Sequence, residues 1–159
     1  MPSLEGAVTL DNLVSGLLGA VIGLVGAVMI QWNDRRQDVR AAARAVFMEV
    51  AANGAALTMA AKHGVYVPLA STTWSASHLE LSRGLSPADL VIVATFYMHV
   101  DAILGGGFVS GSPDPRLSTV ATETLARSAL AAGVLEARGW RRWERRALLD
   151  ALAALAPKS

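Results

Sequence analysis

A run of 22 uncharged residues between Asp11 and Asp34 constrains this 159-residue chain more than any other feature of its sequence. An α-helix needs roughly 20 apolar residues to cross about 30 Å of hydrocarbon, and a helix at the edge of a soluble core would carry a polar face that this run lacks. A cleavable signal would add a basic leading region and a small-residue cleavage site, which the sequence does not offer. We therefore predict an uncleaved transmembrane helix over residues 13–33, after a short extracytoplasmic tail over residues 1–12.

The charges on either side of this run predict its orientation. Glu5 and Asp11 precede it without any Lys or Arg, whereas four arginines follow it closely. Because basic residues beside a membrane helix are retained in the cytoplasm, residues 34–159 are expected to form a cytoplasmic domain at a bacterial inner membrane, with the amino terminus outside. Trp32 stands where an interfacial aromatic anchor is expected, and the lack of cysteine agrees with a reducing compartment. The four arginines are Arg35, Arg36, Arg40 and Arg44.

Small residues recur along one side of the predicted span. In lipid there is no hydrophobic drive between helices, so helices associate where small side chains let their backbones approach. We predict that this strip packs against the helix of a second copy or of another membrane protein; the alternative is that glycine is simply common in membrane helices. The strip consists of Ser15, Gly16, Gly19, Gly23 and Ala27.

The rest of the chain has the pattern of helices, because no segment alternates β-branched and polar residues with a period of two. The predicted fold class is all-α, with one N-terminal transmembrane helix followed by a small bundle of four to five helices. Directly after the span, an apolar seam with spacings of four and three indicates a helix to about residue 62. Asn53 on this seam either pairs with a second Asn53 or, as we favour, satisfies a backbone group of its own chain. The seam comprises Val39, Val46, Val50, Asn53 and Leu57, with Ala43 and Ala60.

Local signals place the remaining helices. Gly64 is a plausible helix C-cap, and Pro68 stops helix continuation in the connector that follows. Ser86 and Pro87 form a strong start signal, with Ser86 as N-cap. The predicted helices are residues 72–83, capped by Ser71, then 88–104, 116–137 and 140–156, with a glycine-rich loop over residues 105–115 and a break at Gly139.

A glycine-rich span, a run of arginines and a helix reading "RAAARAVFMEVAANGAAL" resemble a set of small bacterial and phage single-pass membrane proteins of unknown function. In that set a basic helix carries a Glu and, four residues later, an Asn; Glu49 and Asn53 occupy those places here. The stretches "TTW" and "FYMHVDAIL" are also similar to it. The resemblance implies a membrane-tethered helical domain and no chemistry.

No residue pattern points to catalysis, a cofactor or a metal. In His78-Leu79-Glu80 and His99-Val100-Asp101 the imidazole and the carboxylate stand two residues apart, so on a helix they face different sides and do not chelate. The loop "GGGFVSGS" lacks the lysine and the preceding strand of a phosphate-binding loop. We predict a protein that is not an enzyme; an enzyme acting on a lipid or nucleotide would have to gather these four side chains around a cavity.

The stretch "RGWRRWERR" is the most distinctive polar segment of the chain. On one continuous helix its arginines share a face, and Trp140, Trp143 and Ala147 lie opposite, where the tryptophans would pack against the bundle. The arginine face is then solvated or paired with acidic residues, bound to anionic lipid headgroups, or bound to a protein or nucleic acid. A net charge of +1 does not favour nucleic acid as a general partner. The face consists of Arg138, Arg141, Arg142, Arg145 and Arg146.

Together these features favour an assembly or interaction module, tethered to the membrane by one helix and serving as a subunit of a larger complex. The alternative is a phage-type membrane effector, either a superinfection-exclusion factor or a lysis accessory. A lysis protein would need its domain outside the cytoplasm, whereas the arginine flank predicts a domain inside. Exclusion is therefore the better version of that alternative.

Overall fold

The computed structural model describes residues 5–108, 114–141, 143–144 and 146–147, with side chains from residue 15 onward. This part of the chain is all-α, as predicted. It divides into two compact units, and the boundary in the sequence lies between Gln37 and Asp38. Its four helices are α1 (Glu5–His63), α2 (Thr72–Ser82), α3 (Pro87–Gly105) and α4 (Pro115–Gly139).

The first unit contains the predicted span. Nine large apolar side chains between Leu17 and Ile30 are each 48–69 % exposed. The helix from Ser15 onward is long and apolar enough to cross a membrane, and α3 meets the same two conditions of length and composition. In α3, however, Val93, Phe96 and Val100 are fully buried, which is the pattern of a helix in the core of a domain.

The second unit pairs its part of α1 with α4 in opposite directions. The Ser118 hydroxyl donates to the Ala61 carbonyl at 2.7 Å, and Arg44 Nε donates to the Gly139 carbonyl at 2.7 Å. The start of this part of α1 thus lies beside the end of α4, and the end of α1 lies beside the start of α4. Both helices bury residues at spacings of four and three. The buried residues of α1 are Ala43, Val46, Glu49, Val50, Asn53, Leu57 and Ala60, with Val39 half-buried; those of α4 are Leu117, Ala121, Thr124, Ser128, Ala131, Leu135 and Gly139.

The directions of α2 and α3 relative to α1 follow from their contacts with it. The start of α2 and the Tyr97 hydroxyl of α3 both lie at Glu49, whereas Gly84, in the turn between α2 and α3, lies against Val39. α2 therefore runs opposite to α1, and α3 runs with it. The seam of α1 faces the other helices of its own chain and is covered by them.

Two helix ends agree with their sequence signals. The Ser86 hydroxyl accepts the Asp89 N–H at 3.1 Å, with Pro87 at the first helical position. Gly64 ends α1 with a φ of +64°, a left-handed conformation that favours glycine, and its N–H donates to the Ala60 carbonyl at 2.8 Å.

The arginine face from Arg138 to Arg146 assumes one continuous helix, and the structure interrupts that helix at Trp140. Trp140 has an extended backbone (φ −118°, ψ 147°), so α4 ends at Gly139 and the predicted helix does not begin at Trp140. A constant turn of 100° per residue does not hold across this break. Trp140 packs edge-on against Phe47 with ring centroids 5.0 Å apart, but Trp143, also expected to pack inward, is 67 % exposed. Arg142, Arg145 and all of residues 148–156 lie outside the described residues.

Candidate functional site

Glu49 of α1 holds the first turn of α2 from outside that helix. Its Oε2 accepts the Thr73 N–H at 2.8 Å, and its Oε1 accepts the Trp74 N–H at 3.1 Å. The first N–H groups of a helix have no partner within the helix and carry a partial positive charge, so a carboxylate there is stabilising. The predicted cap, Ser71, makes no side-chain capping bond. The serine N-cap rule therefore predicted the correct start of α2 but the wrong capping group.

The same carboxylate also binds α3. The Tyr97 hydroxyl donates to Glu49 Oε1 at 2.8 Å, and the Trp74 ring stacks on the Tyr97 ring with centroids 5.0 Å apart and planes 5° apart. Glu49 is 8 % exposed and thus joins three helices at one buried point. With four donors around it, counting the Thr72 hydroxyl at 3.4 Å, this carboxylate acts as a structural acceptor.

The ionisation of Glu49 follows from this environment. Burial raises the pKa of its carboxyl, but hydrogen bonds from the Thr73 N–H, the Tyr97 hydroxyl and the Trp74 N–H outweigh burial, and the pKa lies below its ordinary value of 4.5. The carboxylate is therefore charged at neutral pH and complements the positive end of α2.

Asn53, one turn after Glu49, fastens the chain just before α2. Its Nδ2 donates to the Ala70 carbonyl at 2.7 Å, and its Oδ1 accepts the Ala70 N–H at 2.9 Å. With both amide atoms engaged and 2 % of its surface exposed, Asn53 satisfies a backbone group of its own chain, which is the interpretation favoured from the sequence. Its side chain is covered and cannot meet a second Asn53.

Arg44 of α1 binds the carboxyl-terminal end of α4, as Glu49 binds the amino-terminal end of α2. Besides its bond to the Gly139 carbonyl, its guanidinium binds Glu144 at 2.8 Å and lies 5.6 Å from the Trp140 ring centroid. A cation at the carboxyl end of a helix complements the negative end of its dipole. One of the four arginines assigned to membrane orientation is thus a tertiary contact of the domain.

The four side chains weighed for chemistry lie on two helices, His78 and Glu80 on α2 and His99 and Asp101 on α3. Within the described residues no group of three His, Cys, Asp or Glu side chains has the geometry to hold a metal ion. His78 lies at the surface, where its Nδ1 is 2.9 Å from the Ser75 carbonyl oxygen. Every buried side-chain nitrogen or oxygen of the described residues has a hydrogen-bond partner, so these polar groups are committed to the fold.

The glycines of the predicted span are not crowded by any of the described residues. A Cβ added at Gly16, Gly19, Gly23 or Gly26 would meet nothing within 4 Å, whereas one added at Gly84 would overlap Val39. Packing thus excludes a larger side chain at Gly84 of the second unit, whereas none of the described atoms crowds these four glycines of the first.

Family models, curated proteins and solved structures were compared with this chain, and none of them matches it.

Proposed function

We propose that this chain is a single-pass membrane protein whose helix over residues 13–33 tethers a self-contained helical assembly module in the cytoplasm. The observation that carries the proposal is the contrast between the two units. The first leaves nine large apolar side chains half to two-thirds exposed, whereas the second fully buries Phe96, Tyr97 and Leu57. Moving exposed apolar surface from water into hydrocarbon is favourable by about 25 cal/mol per Å², so a bilayer is the environment that suits the first unit.

A single crossing fits better than two. If α3 crossed the membrane, its buried face would have to leave the core, and Tyr97 would lose its bond to Glu49. The stacked ring of Trp74 would lose its partner as well. These contacts favour α3 as part of the domain and the first helix as the anchor.

Topology tests this proposal directly. The full chain is expected to stay with membranes after alkaline extraction, and reporters fused after Ser159 are expected to behave as cytoplasmic, with a bright fluorescent protein and inactive alkaline phosphatase. Active phosphatase at this position would reject the cytoplasmic domain. Release of the protein by alkaline extraction would reject the anchor.

The structure sharpens the accompanying orientation experiment. Arg35, Arg36 and Arg40 are replaced by glutamine and lysines are added before Leu13, but Arg44 is kept because it binds Gly139 and Glu144. Phosphatase activity should then rise, because the basic residues now lie on the other side of the span. A control with Lys62 and Arg127 replaced should leave orientation unchanged, since both stand beyond the roughly 15–20 residues over which flanking charge acts.

Association through the small-residue strip is the second expected property. Gly19→Ile combined with Gly23→Ile should reduce cross-linking between copies in membranes several-fold, because bulky side chains keep the backbones apart. Val21→Leu, which enlarges a side chain outside the strip, is the matched control. Equal cross-linking of the two variants would reject the strip as the contact, and a monomeric parent chain would reject self-association.

A further inference from the structure

One end of the second unit carries an exposed tryptophan among arginines. Trp143 is 67 % exposed, and Arg141 and Arg146 on either side of it are exposed as well. Arg138 nearby reaches Asp89 only at 3.7 Å, and its side chain remains 48 % exposed. We call Arg138, Arg141, Trp143 and Arg146 the basic end.

Contacts inside the second unit fix where the basic end lies. The bonds from Arg44 to Gly139 and Glu144 hold it beside the first turns of α1 that belong to this unit. A Cβ at Gly139 would lie 3.4 Å from the Arg44 backbone nitrogen, so the two chain segments are in close contact. The second unit begins at Asp38, only five residues after the predicted span. The basic end therefore lies beside the residues with which the second unit begins.

A bilayer surface matches the chemistry of this end. Tryptophan is enriched at membrane–water interfaces, because its ring is apolar and its indole N–H bonds to polar groups. Each basic residue near an anionic leaflet strengthens binding about fivefold. In a headgroup layer the apolar ring leaves water while the guanidinium groups bind phosphates, so both parts of this surface find a partner.

We propose that the basic end is a second membrane contact, in which Trp143 enters the headgroup layer and Arg141 and Arg146 bind anionic lipid phosphates. This inference rests on the proposed membrane tether, because Arg44, which holds this end, follows the predicted span closely in the sequence. The contact limits the orientations that the domain adopts at the surface and makes them depend on lipid charge.

Single-cysteine probes test the contact in the full chain, which has no cysteine of its own. An environment-sensitive fluorophore is attached at Trp143→Cys or Ala147→Cys, both exposed sites, and at Met59→Cys, an exposed site of α1 beyond Leu57 and away from the basic end. The labelled proteins are inserted into vesicles of phosphatidylcholine with or without phosphatidylglycerol. In anionic vesicles the probes at 143 and 147 should show blue-shifted emission and quenching by nitroxide lipids, and the probe at 59 should show neither.

Charge is then varied separately. The double variant Arg141→Gln, Arg146→Gln should lower the ratio of membrane-bound to water-exposed probe at residue 147 by about tenfold or more. High salt should also lower this ratio, because it screens the attraction between arginine and anionic lipid. Identical signals at residues 147 and 59 in anionic vesicles would overturn the contact, as would signals at 143 and 147 that ignore lipid charge. If the protein does not float with vesicles at all, both this contact and the membrane tether are rejected. Insertion without a shift at 143 and 147 rejects the contact alone.

Discussion

Replacing Glu49 with glutamine is expected to lower the free energy of unfolding of the helical domain by about 2–4 kcal/mol. Glutamine removes the charge at the start of α2 and turns an NH₂ group toward donors that now bind a carboxylate, among them the Thr73 N–H and the Tyr97 hydroxyl. A buried donor without an acceptor costs about 1–3 kcal/mol. Unfolding of the full chain in detergent micelles, followed by the near-ultraviolet circular dichroism of the stacked Trp74 and Tyr97, measures the loss.

The matched control is Glu80→Gln. Glu80 pairs with Arg83 at the surface, where the two side chains are 41 % and 68 % exposed, and exposed pairs of this kind contribute about 0–1 kcal/mol. The same chemical change should therefore have little effect at residue 80. Equal losses at both positions would contradict the assignment of Glu49 as the capping group of α2.

The pH dependence of stability should have a defined sign. The pKa of Glu49 is lower in the folded protein than its ordinary value of 4.5, so its contribution is complete above that value and declines as the pH falls toward the folded pKa. Acid should therefore destabilise the parent chain more than the Glu49→Gln variant. Parallel loss of stability in both proteins would show that other groups control the acid response.

Replacing Gly84 with alanine is expected to destabilise the same domain by about 1–3 kcal/mol. A Cβ at this position would lie 2.9 Å from Val39 Cγ2 and closer still to Cγ1. Valine has one strongly preferred rotamer on a helix, so it does not swing aside, and the turn between α2 and α3 must move away from α1. The thermal unfolding temperature of the full chain in micelles reports the effect.

Gly133→Ala is the control, because a Cβ there meets nothing within 4 Å. In the interior of α4, alanine should stabilise by up to about 1 kcal/mol through helix propensity. The same substitution is thus expected to have opposite signs at the two positions. Adding Val39→Ala to Gly84→Ala should recover part of the loss, and the absence of any recovery would contradict a clash with Val39.

Periodicity and local capping rules account for much of this fold. The four-three spacing of the seam in α1 identified residues that are buried, and Ser86 and Pro87 identified the start of α3, because these signals act within a few residues. The capping of α2 by Glu49 escaped this reasoning, because the acceptor lies 24 residues before Thr73 and Ser71 offered a nearer candidate. The available signal was a pair of polar residues, Glu49 and Asn53, one turn apart on a buried face.

The role of Arg44 likewise depends on a contact between residues that are distant in the sequence. Its position after the predicted span suggested a role in membrane orientation. The structure shows that its side chain also binds the Gly139 carbonyl and the Glu144 carboxylate, a contact that depends on the packing of α4 against α1. Similarly, one extended residue, Trp140, interrupts the helix on which a face of nine residues was projected. Long-range contacts and single breaks are the features that a helical repeat does not encode.

Because α1 pairs with α4, the last of the four described helices, α1 is synthesised well before its partner. α1 is complete at His63, but the residue that Arg44 binds, Gly139, is added only 76 residues later. At roughly 5–20 residues per second, the side of α1 that pairs with α4 stays without this partner for on the order of 4–15 s after it has been made. Newly made chains are therefore most prone to mispairing before α4 emerges, and a pause in translation after His63 would lengthen that period.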